Sequence, residues 1–278
     1  TFTEDTELNQ LGYGQEYQVK YTLEPVDATA SLLTWTSDNP EVISVDKTGK
    51  LKVHTTKTAS AVITASYGPV VQNVTVTVAD GRFWYSLGNG LGNGLDNNWY
   101  LDGNNASVVS SDGNKTTVQM GSGYRGDLWL ARSGKGKIVN VTPADYRYFA
   151  IKVGFKSQLV PGKNKPNGCI KLEIFDDGIK KIGPEYFGTG GDANNRYEIL
   201  GASEISTTEP NVLYYDLQSK YKTVTPTDWN QVFDLVQCKF VIADFPETAQ
   251  TYDLYWIRSF KSIEELQAFV DSENNTNE

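Results

Sequence analysis

The sequence is poor in the residues that carry most enzymatic and metal chemistry. Its 278 residues include one histidine, His54, and two cysteines, Cys169 and Cys238. A histidine-dependent triad or a zinc site is therefore not expected in the long region after His54. Two cysteines are too few for a disulfide framework. One bridge between them and two buried apolar thiols are both consistent with the sequence.

Positive charge and long apolar runs are also scarce. The chain has 25 Lys and Arg against 34 Asp and Glu, a net charge of −9. That balance argues against a nucleic-acid partner, because phosphate binding needs a basic face. No run of 18 apolar residues exists, so the sequence predicts no membrane-spanning segment. A neutral partner fits the composition best.

Aromatic residues, by contrast, are plentiful and unevenly placed. The chain holds 6 Trp, 16 Tyr and 11 Phe, and five of the Trp lie beyond residue 80. Trp and Tyr combine a flat apolar face with a polar edge, which suits exposed binding surfaces. The cores of all-β proteins also use aromatic residues heavily, so both roles are open for each of them.

The first 80 residues predict a small antiparallel β-sandwich. Apolar and polar residues alternate in short segments separated by turn residues, which is typical of half-buried strands. The predicted strands are 16–23, 32–37, 42–45, 51–54, 59–66 and 70–78. The strings LTWTSDNP at 33–40, VDKTGKL at 45–51 and AVITA at 61–65 resemble the group 2 bacterial Ig-like domain. The resemblance implies a spacer or adhesive module with Trp35 in its core.

Residues 81–278 predict a second, larger domain. Its strands are expected at 107–110, 116–120, 127–131, 149–155, 169–175, 197–199, 212–217, 237–243 and 253–260. That many strands without helical periodicity between them favour a jelly-roll β-sandwich. Ser262 and Glu265 form a capping-box pattern, which predicts one short helix from Ile263 to about residue 271. The predicted fold class is therefore all-β, with a short C-terminal helix.

Strand alternation suggests which side chains of the larger domain could face a ligand. Leu128 and Leu130 are predicted to point inward, which leaves the other side of that strand for a mixed set of residues. We expect the outer face of one sheet to carry Arg125, Asp127, Trp129, Lys152, Glu173 and Tyr214 together. Pyranose rings stack on aromatic faces, and their hydroxyls bond to charged planar groups. A solvated face with cross-strand ion pairs is the alternative.

Aromatic residues in Gly-rich loops form a second candidate set. Trp99 and Tyr100 follow a Gly/Asn loop, Tyr186 lies in the segment 183–191, and Trp229 lies in 225–229. Loop aromatics of this kind are often exposed enough to bind. They also fold back as hydrophobic plugs, and the sequence leaves this alternative open.

The larger domain resembles jelly-roll carbohydrate-binding modules, and more closely the C-terminal domains of Bacteroidetes cell-surface glycan-binding proteins of polysaccharide-utilisation loci. The strings that carry the resemblance are GYRGDLWL at 123–130, PADYRYFAIK at 143–152 and YDLYWIRSFKSIEE at 252–265. It implies binding of a polysaccharide or oligosaccharide, with outer-membrane glycan transporters as further partners. No cofactor is expected. A structural Ca²⁺ is left open, with oxygen-rich turns at 96–98 and 176–178.

These observations predict a non-catalytic protein that captures a polysaccharide for uptake or degradation. A protein-binding adhesin is one alternative. A glycoside hydrolase or polysaccharide lyase is another, with Glu173 and Asp216 as carboxylates that could face one groove. The chain opens at Thr1 without a signal peptide. We therefore expect an exported, cell-surface protein, lipid-anchored to the outer membrane through a removed N-terminal cysteine.

Overall fold

The computed structural model describes residues 1–92, 98–102, 106–121, 126–132, 135–136, 140–158, 170–176, 197–218, 229–242 and 250–275. Within these ranges the chain is mostly β-strand, with one α-helix near the end. The predicted all-β fold with a short C-terminal helix is thus confirmed. Two compact units divide the chain, Thr1–Tyr85 and Ser86–Glu278. The predicted boundary between residues 80 and 81 falls inside a strand and stays a prediction.

The N-terminal unit contains seven strands and two short 3₁₀ helices, Thr6–Asn9 and Ala30–Leu32. The strands are β1 (Leu11–Tyr13), β2 (Glu16–Gln18), β3 (Thr34–Ser37), β4 (Ile43–Val45), β5 (Lys50–Val53), β6 (Ala59–Tyr67) and β7 (Val70–Ser86). One sheet pairs β3 with β6 and β6 with β7, both antiparallel, and β1 runs parallel to β7. A second sheet has the antiparallel order β2-β5-β4.

Side chains from both of these sheets fill one apolar core. Trp35 on β3, Ile43 on β4 and Leu51 on β5 are buried together with Ile63 and Val76 from the β6–β7 pair. Alternation along β6 explains this arrangement, since every second residue between Ala61 and Ala65 is buried. The predicted core position of Trp35 is confirmed, with 8% of its surface exposed.

The C-terminal unit contains twelve strands and the helix in its described part. The first sheet has the antiparallel order β16-β17-β14-β19-β10-β9. Its strands are β9 (Ser107–Ser111), β10 (Thr116–Gln119), β14 (Tyr148–Phe155), β16 (Glu198–Ile199), β17 (Asn211–Asp216) and β19 (Thr251–Phe260).

The second sheet is built around its longest strand, β18 (Phe233–Ile242). This strand lies between β11 (Gly126–Arg132) and β15 (Ile170–Asp176), and it also pairs with β13 (Asn140–Val141). The other edge of β11 pairs with β8 (Tyr100–Asp102) and β12 (Lys135–Gly136). All of these pairings are antiparallel.

The two sheets of the C-terminal unit meet face to face through aromatic rings. Phe240 of the second sheet contacts Phe149 and Tyr215 of the first, with ring centroids 5.4 and 5.8 Å apart. All three side chains are essentially inaccessible to solvent. This cluster sets which side of each strand faces inward, and so which side is left for function.

The C-terminal helix α1 (Ile263–Asn275) begins where the capping pattern predicts. The backbone N–H of Glu265 donates to the Ser262 hydroxyl at 3.2 Å, and the Glu265 carboxylate accepts from the N–H of Lys261 at 2.6 Å. The first of these bonds satisfies a donor that the first turn of a helix leaves open, and the second ties Glu265 to the residue before the cap. The helix extends four residues beyond the predicted end at about residue 271.

Candidate functional site

The ten predicted ligand-binding residues fall into different places in the structure. Arg125 and Tyr186 lie outside the described residues. For Glu173 the structure gives a strand and a register, on β15 opposite Lys239. The other seven lie on both sheets of the C-terminal unit and in the chain segments beside them: Trp99, Tyr100, Asp127, Trp129, Lys152, Tyr214 and Trp229.

Four residues form a register row across the second sheet, which we call the Trp129 row: Tyr100, Trp129, Lys239 and Glu173. Leu128 and Phe240 alternate with Trp129 and Lys239 and are fully buried in the core. Because successive strand residues point to opposite faces, Trp129 and Lys239 belong to the face away from the core. The sequence predicted three of its members and missed Lys239.

The Trp129 row is more enclosed than expected. Trp129 is 7% and Asp127 5% exposed. The Lys239 ammonium lies 4.6 Å from the centre of the Trp129 ring and 3.7 Å from the nearer Asp127 carboxylate oxygen. The expected solvent exposure of Trp129 and Asp127 is therefore wrong, since one face of the indole contacts a lysine held by a carboxylate.

Trp99 corrects a second expectation, because it is a core residue. Its side chain is 0% exposed, and its ring centroid is 5.7 Å from that of Phe240. It precedes β8 by one residue, so alternation puts Trp99 on the inner side with Leu101 and leaves Tyr100 on the outer side. The preceding Gly/Asn loop says nothing about this direction. Trp229 is half-buried, and its carbonyl accepts from the N–H of Ala144 at 3.1 Å.

Lys152 lies on the outer face of the first sheet and is held by the C-terminal helix. Its ammonium lies 3.1 Å from the Glu273 carboxylate, which also accepts from the Trp256 indole N–H at 3.2 Å. The ring of Phe269 packs on Trp256 at 5.5 Å. Helix α1 thus covers the part of the sheet where Lys152 was expected to meet a ligand.

Replacing Glu273 with alanine should lower the free energy of unfolding by about 2 kcal/mol, because it leaves partly buried Lys and Trp donors unpaired. Equilibrium urea denaturation measures the loss, and a red shift of tryptophan emission would report the loosened contact with Trp256. The matched control is Asp271→Ala on the same helix, where the exposed partner is Gln267. An unchanged midpoint and emission in Glu273→Ala would contradict this role for the helix.

The predicted single binding face is therefore split between two sheets. Trp129 and Glu173 belong to the second sheet, whereas Lys152 and Tyr214 belong to the first. Alternation tells on which side of a strand a residue points, but it does not tell which sheet the strand joins. The prediction that these residues share one sheet is wrong.

A partly exposed surface on the first sheet remains, and we call it the tyrosine platform: Tyr148, Tyr214, Arg147 and Asp216. Tyr148 on β14 lies opposite Asp216 on β17 in register. The rings of Tyr148 and Tyr214 meet edge to face with centroids 5.9 Å apart. Both alternate with buried residues of the core, so both belong to the outer face.

A bidentate ion pair fixes the edge of the tyrosine platform. Arg147 Nε and Nη2 donate to the two Asp216 carboxylate oxygens at 2.7 and 2.6 Å. The guanidinium carbon lies 5.4 Å from the centre of the Tyr148 ring. The Asp216 hydrogen bond raises the pKa of Arg147, and burial, with the nearby Glu198 carboxylate, raises the pKa of Tyr214. The platform therefore offers a neutral phenol beside a fixed cation.

The sequence signals for the tyrosine platform were present but incomplete. Tyr214 was predicted as a ligand-binding residue, and Asp216 was named as a carboxylate that could face a groove. Arg147 and Tyr148 lie within the string 143–152 that carried the family resemblance, yet they were not selected. The cross-strand register that joins them to Asp216 is not encoded in either segment alone.

The described residues were also searched for a reactive cysteine and for a metal site. Cys238 is a buried free thiol whose pKa is raised by burial, which makes it unreactive. Because Cys238 is free, the alternative of a bridge between the two cysteines is wrong. Cys169 lies outside the described ranges, so its expected burial stays a prediction. No group of three or more His, Cys, Asp or Glu side chains that could hold a metal occurs in the described part. The two turns considered for Ca²⁺ are described only in part, because Asp96 and Asp177 lie outside the described residues.

The helix content adds one further fact. Across the ranges that the structure describes, no helix has both the length and the apolar character needed to cross a membrane.

Comparison with solved structures gives similarities of low score. The chain is similar to the CBM51-2 and INT domains of Clostridium perfringens ZmpB (12% identity, TM-score 0.22). It is also similar to a crystal structure with a xylogluco-oligosaccharide (9%, 0.24) and to SGBP-B from a complex xyloglucan utilization locus in Bacteroides uniformis (9%, 0.27). Each match covers 94% of this chain, and the chain spans 48%, 57% and 72% of those structures, in that order.

Comparison at the level of sequence is more decisive for the family. No curated protein matches the chain. Residues 90–266, which are more than half of the sequence and contain both the Trp129 row and the tyrosine platform, match the domain of unknown function DUF4979. The chain therefore belongs to the DUF4979 family.

Proposed function

We propose that this protein binds a glycan without cleaving it, and that the tyrosine platform is its binding surface. The observation that carries the proposal is the pairing of two partly exposed tyrosine rings with a rigid Arg147–Asp216 ion pair on one sheet face. Tyrosine rings accept the C–H faces of pyranoses, and the phenol hydroxyls can donate to or accept from sugar hydroxyls.

The ion pair supplies orientation to this surface. A guanidinium has five N–H donors, and Asp216 accepts from two of its nitrogens, so Arg147 keeps donors for a ligand hydroxyl. Because Asp216 already holds Arg147 in place, little side-chain entropy is lost when a sugar binds. A preorganised polar pair beside apolar rings suits a neutral, hydroxyl-rich ligand and is consistent with the low basic charge of the chain.

We further propose that the protein captures a polysaccharide at a cell surface, exported and lipid-anchored to the outer membrane, with outer-membrane glycan transporters as partners. The support for this setting is the resemblance of the two sequence regions to Ig-like and carbohydrate-binding modules. The specific glycan and its linkage are for the binding experiment to identify.

Hydrolysis is the weaker proposal because the two carboxylates considered for it do not share a sheet. Glu173 lies on β15 in the second sheet, and Asp216 lies on β17 in the first. Glycoside hydrolysis by a carboxylate pair requires the two groups about 5–9.5 Å apart on either side of one bond. Asp216 is moreover engaged by Arg147 through both of its oxygens.

The test is affinity electrophoresis of the full chain in gels that contain xylan, xyloglucan, β-glucan, mannan, pectin or host glycans, beside a reducing-sugar assay. We expect retardation by at least one glycan and no release of sugar. Tyr148→Ala and Tyr214→Ala should each weaken binding about tenfold, the factor expected from losing one aromatic contact of about 1.4 kcal/mol. Tyr67→Ala, which removes an exposed tyrosine of the N-terminal unit, is the matched control and should bind normally.

Three outcomes would overturn parts of this proposal. Release of reducing sugar would make the protein an enzyme. Retardation that survives in both tyrosine variants would move the site away from the platform, with Trp129→Ala as the next variant. The absence of retardation with every glycan would favour the adhesin alternative.

A further inference from the structure

The N-terminal unit carries an apolar groove that the glycan-binding proposal does not use. Its volume is about 450 Å³, within the range of about 300–1,000 Å³ that is usual for binding pockets. Its apolar lining comes from separate segments of the unit's sequence and includes Phe2, Tyr21, Leu32, Leu33, Tyr67 and Val70. We call this feature the Tyr67 groove.

The exposed hydrophobic side chains of the protein concentrate at this groove. Three of its lining residues are more than half exposed: Leu32 at 56%, Tyr67 at 58% and Val70 at 60%. Val26, which lies between the lining residues Pro25 and Asp27 in the chain, is also exposed. Scattered exposed hydrophobic residues need no explanation, but a contiguous exposed set around a concavity marks an interaction surface.

The floor of the Tyr67 groove is built on the core. The rings of Phe2 and Tyr21 pack against Trp35 with centroids 5.8 and 5.4 Å apart. Trp35 is in turn held by the buried cluster of the N-terminal unit. A groove that is formed before binding loses little free energy in reorganisation when it is filled.

The charged side chains at the groove are both acidic, and the one cation in its lining is the Thr1 ammonium, which donates to the Thr22 carbonyl at 2.8 Å. Glu24 and Asp27 line it and are exposed, and the lining includes no Lys, Arg or His side chain. Within the described residues neither carboxylate forms an ion pair. Unpaired carboxylates beside apolar side chains favour an occupant that brings both apolar groups and positive charge.

This combination distinguishes between the classes of occupant. A second copy of the chain would bring a net charge of −9 against the same carboxylates. An anionic lipid surface would be repelled in the same way. The lining does include hydrogen-bonding side chains, but a neutral glycan would bring no positive charge to Glu24 and Asp27. A protein segment with alternating apolar and basic side chains satisfies both requirements.

We propose that the Tyr67 groove binds an extended segment of a partner protein that places apolar side chains on Leu32, Tyr67 and Val70 and a Lys or Arg beside Glu24 and Asp27. The groove is thus a protein-docking site on the N-terminal unit. It is independent of glycan binding by the tyrosine platform.

Selection from a random heptapeptide phage library on the immobilised full chain tests this proposal. We expect enriched peptides that combine apolar residues with Lys or Arg. One enriched peptide, synthesised with a fluorescein label, should bind in fluorescence anisotropy. Its affinity should fall about tenfold or more in Leu32→Asp, and by a similar factor in the double variant Glu24→Lys and Asp27→Lys.

Matched controls are available on the same chain. Glu41→Lys reverses an exposed carboxylate outside the groove, and Val109→Asp adds a charge at an exposed valine of β9. Both should bind the labelled peptide normally. Far-UV circular dichroism of every variant separates a loss of binding from a loss of folding.

Four results would overturn the proposal. They are the absence of any enriched peptide, enrichment without basic residues, equal affinity in all variants, and binding by another occupant. The last is checked by sedimentation equilibrium for a dimer that Leu32→Asp abolishes, and by co-sedimentation with phosphatidylcholine vesicles. Retained glycan binding in Leu32→Asp would show that the two sites are separate.

Discussion

Replacing Phe240 with alanine should lower the free energy of unfolding by about 3–5 kcal/mol, the usual cost of removing a buried phenylalanine. Phe240 is fully buried, and its ring meets those of Trp99, Phe149 and Tyr215 within 5.8 Å. The loss combines the apolar surface that is no longer buried with the cavity left between the two sheets.

Equilibrium urea denaturation measures this change. Hydrogen exchange of peptides from β14, β17 and β18 should locate it, because those strands line the cavity. Val109→Ala on β9 is the control, since an exposed valine should contribute less than about 0.5 kcal/mol. A loss below about 1 kcal/mol in Phe240→Ala would contradict the central packing role given to this ring.

The second large effect is expected in the N-terminal unit. Replacing Gly49 with alanine should lower the free energy of unfolding by about 2–5 kcal/mol, from backbone strain and overpacking together. Gly49 has a φ of +82°, and a β-carbon placed on it would lie 2.6 Å from Cζ2 of Trp35. The indole is held in the core and cannot move away without displacing its neighbours.

Gly68→Ala separates the two contributions to this effect. Gly68 has a φ of +57°, but a β-carbon there would meet no atom within 4 Å. Alanine at this position should therefore cost only the strain of the left-handed backbone, about 1–2 kcal/mol. If both variants lose the same free energy in urea denaturation, the contact between Gly49 and Trp35 contributes nothing.

Most of the strand positions in both units were predictable because local alternation encodes them. Leu128 and Leu130 were expected inside and are buried. A strand in which every second residue is apolar places that face in the core, whichever strand it pairs with. The capping pair Ser262 and Glu265 is equally local, and the predicted start of the helix is confirmed.

The candidate site was predictable only in part because it depends on pairing between distant strands. Tyr214 and Asp216 were assigned to an outer face, but Tyr148 reaches Asp216 only through the register between β14 and β17. Lys152 was placed on the correct side of its strand, yet Glu273, 121 residues away, takes up its charge. Trp99 was expected in a binding loop and lies in the core.

The sequence by itself determined the fold class, the start of the helix, the buried face of most strands and the scarcity of histidine and cysteine. These features depend on composition or on neighbours within a few residues, so no knowledge of long-range contacts is needed. Only the tertiary structure decided which sheet each strand joins, that helix α1 covers Lys152, and that residues between 1 and 72 enclose one groove. Such features arise from contacts between segments far apart in the chain, whose pairing is set by the free energy of the whole fold rather than by any local pattern.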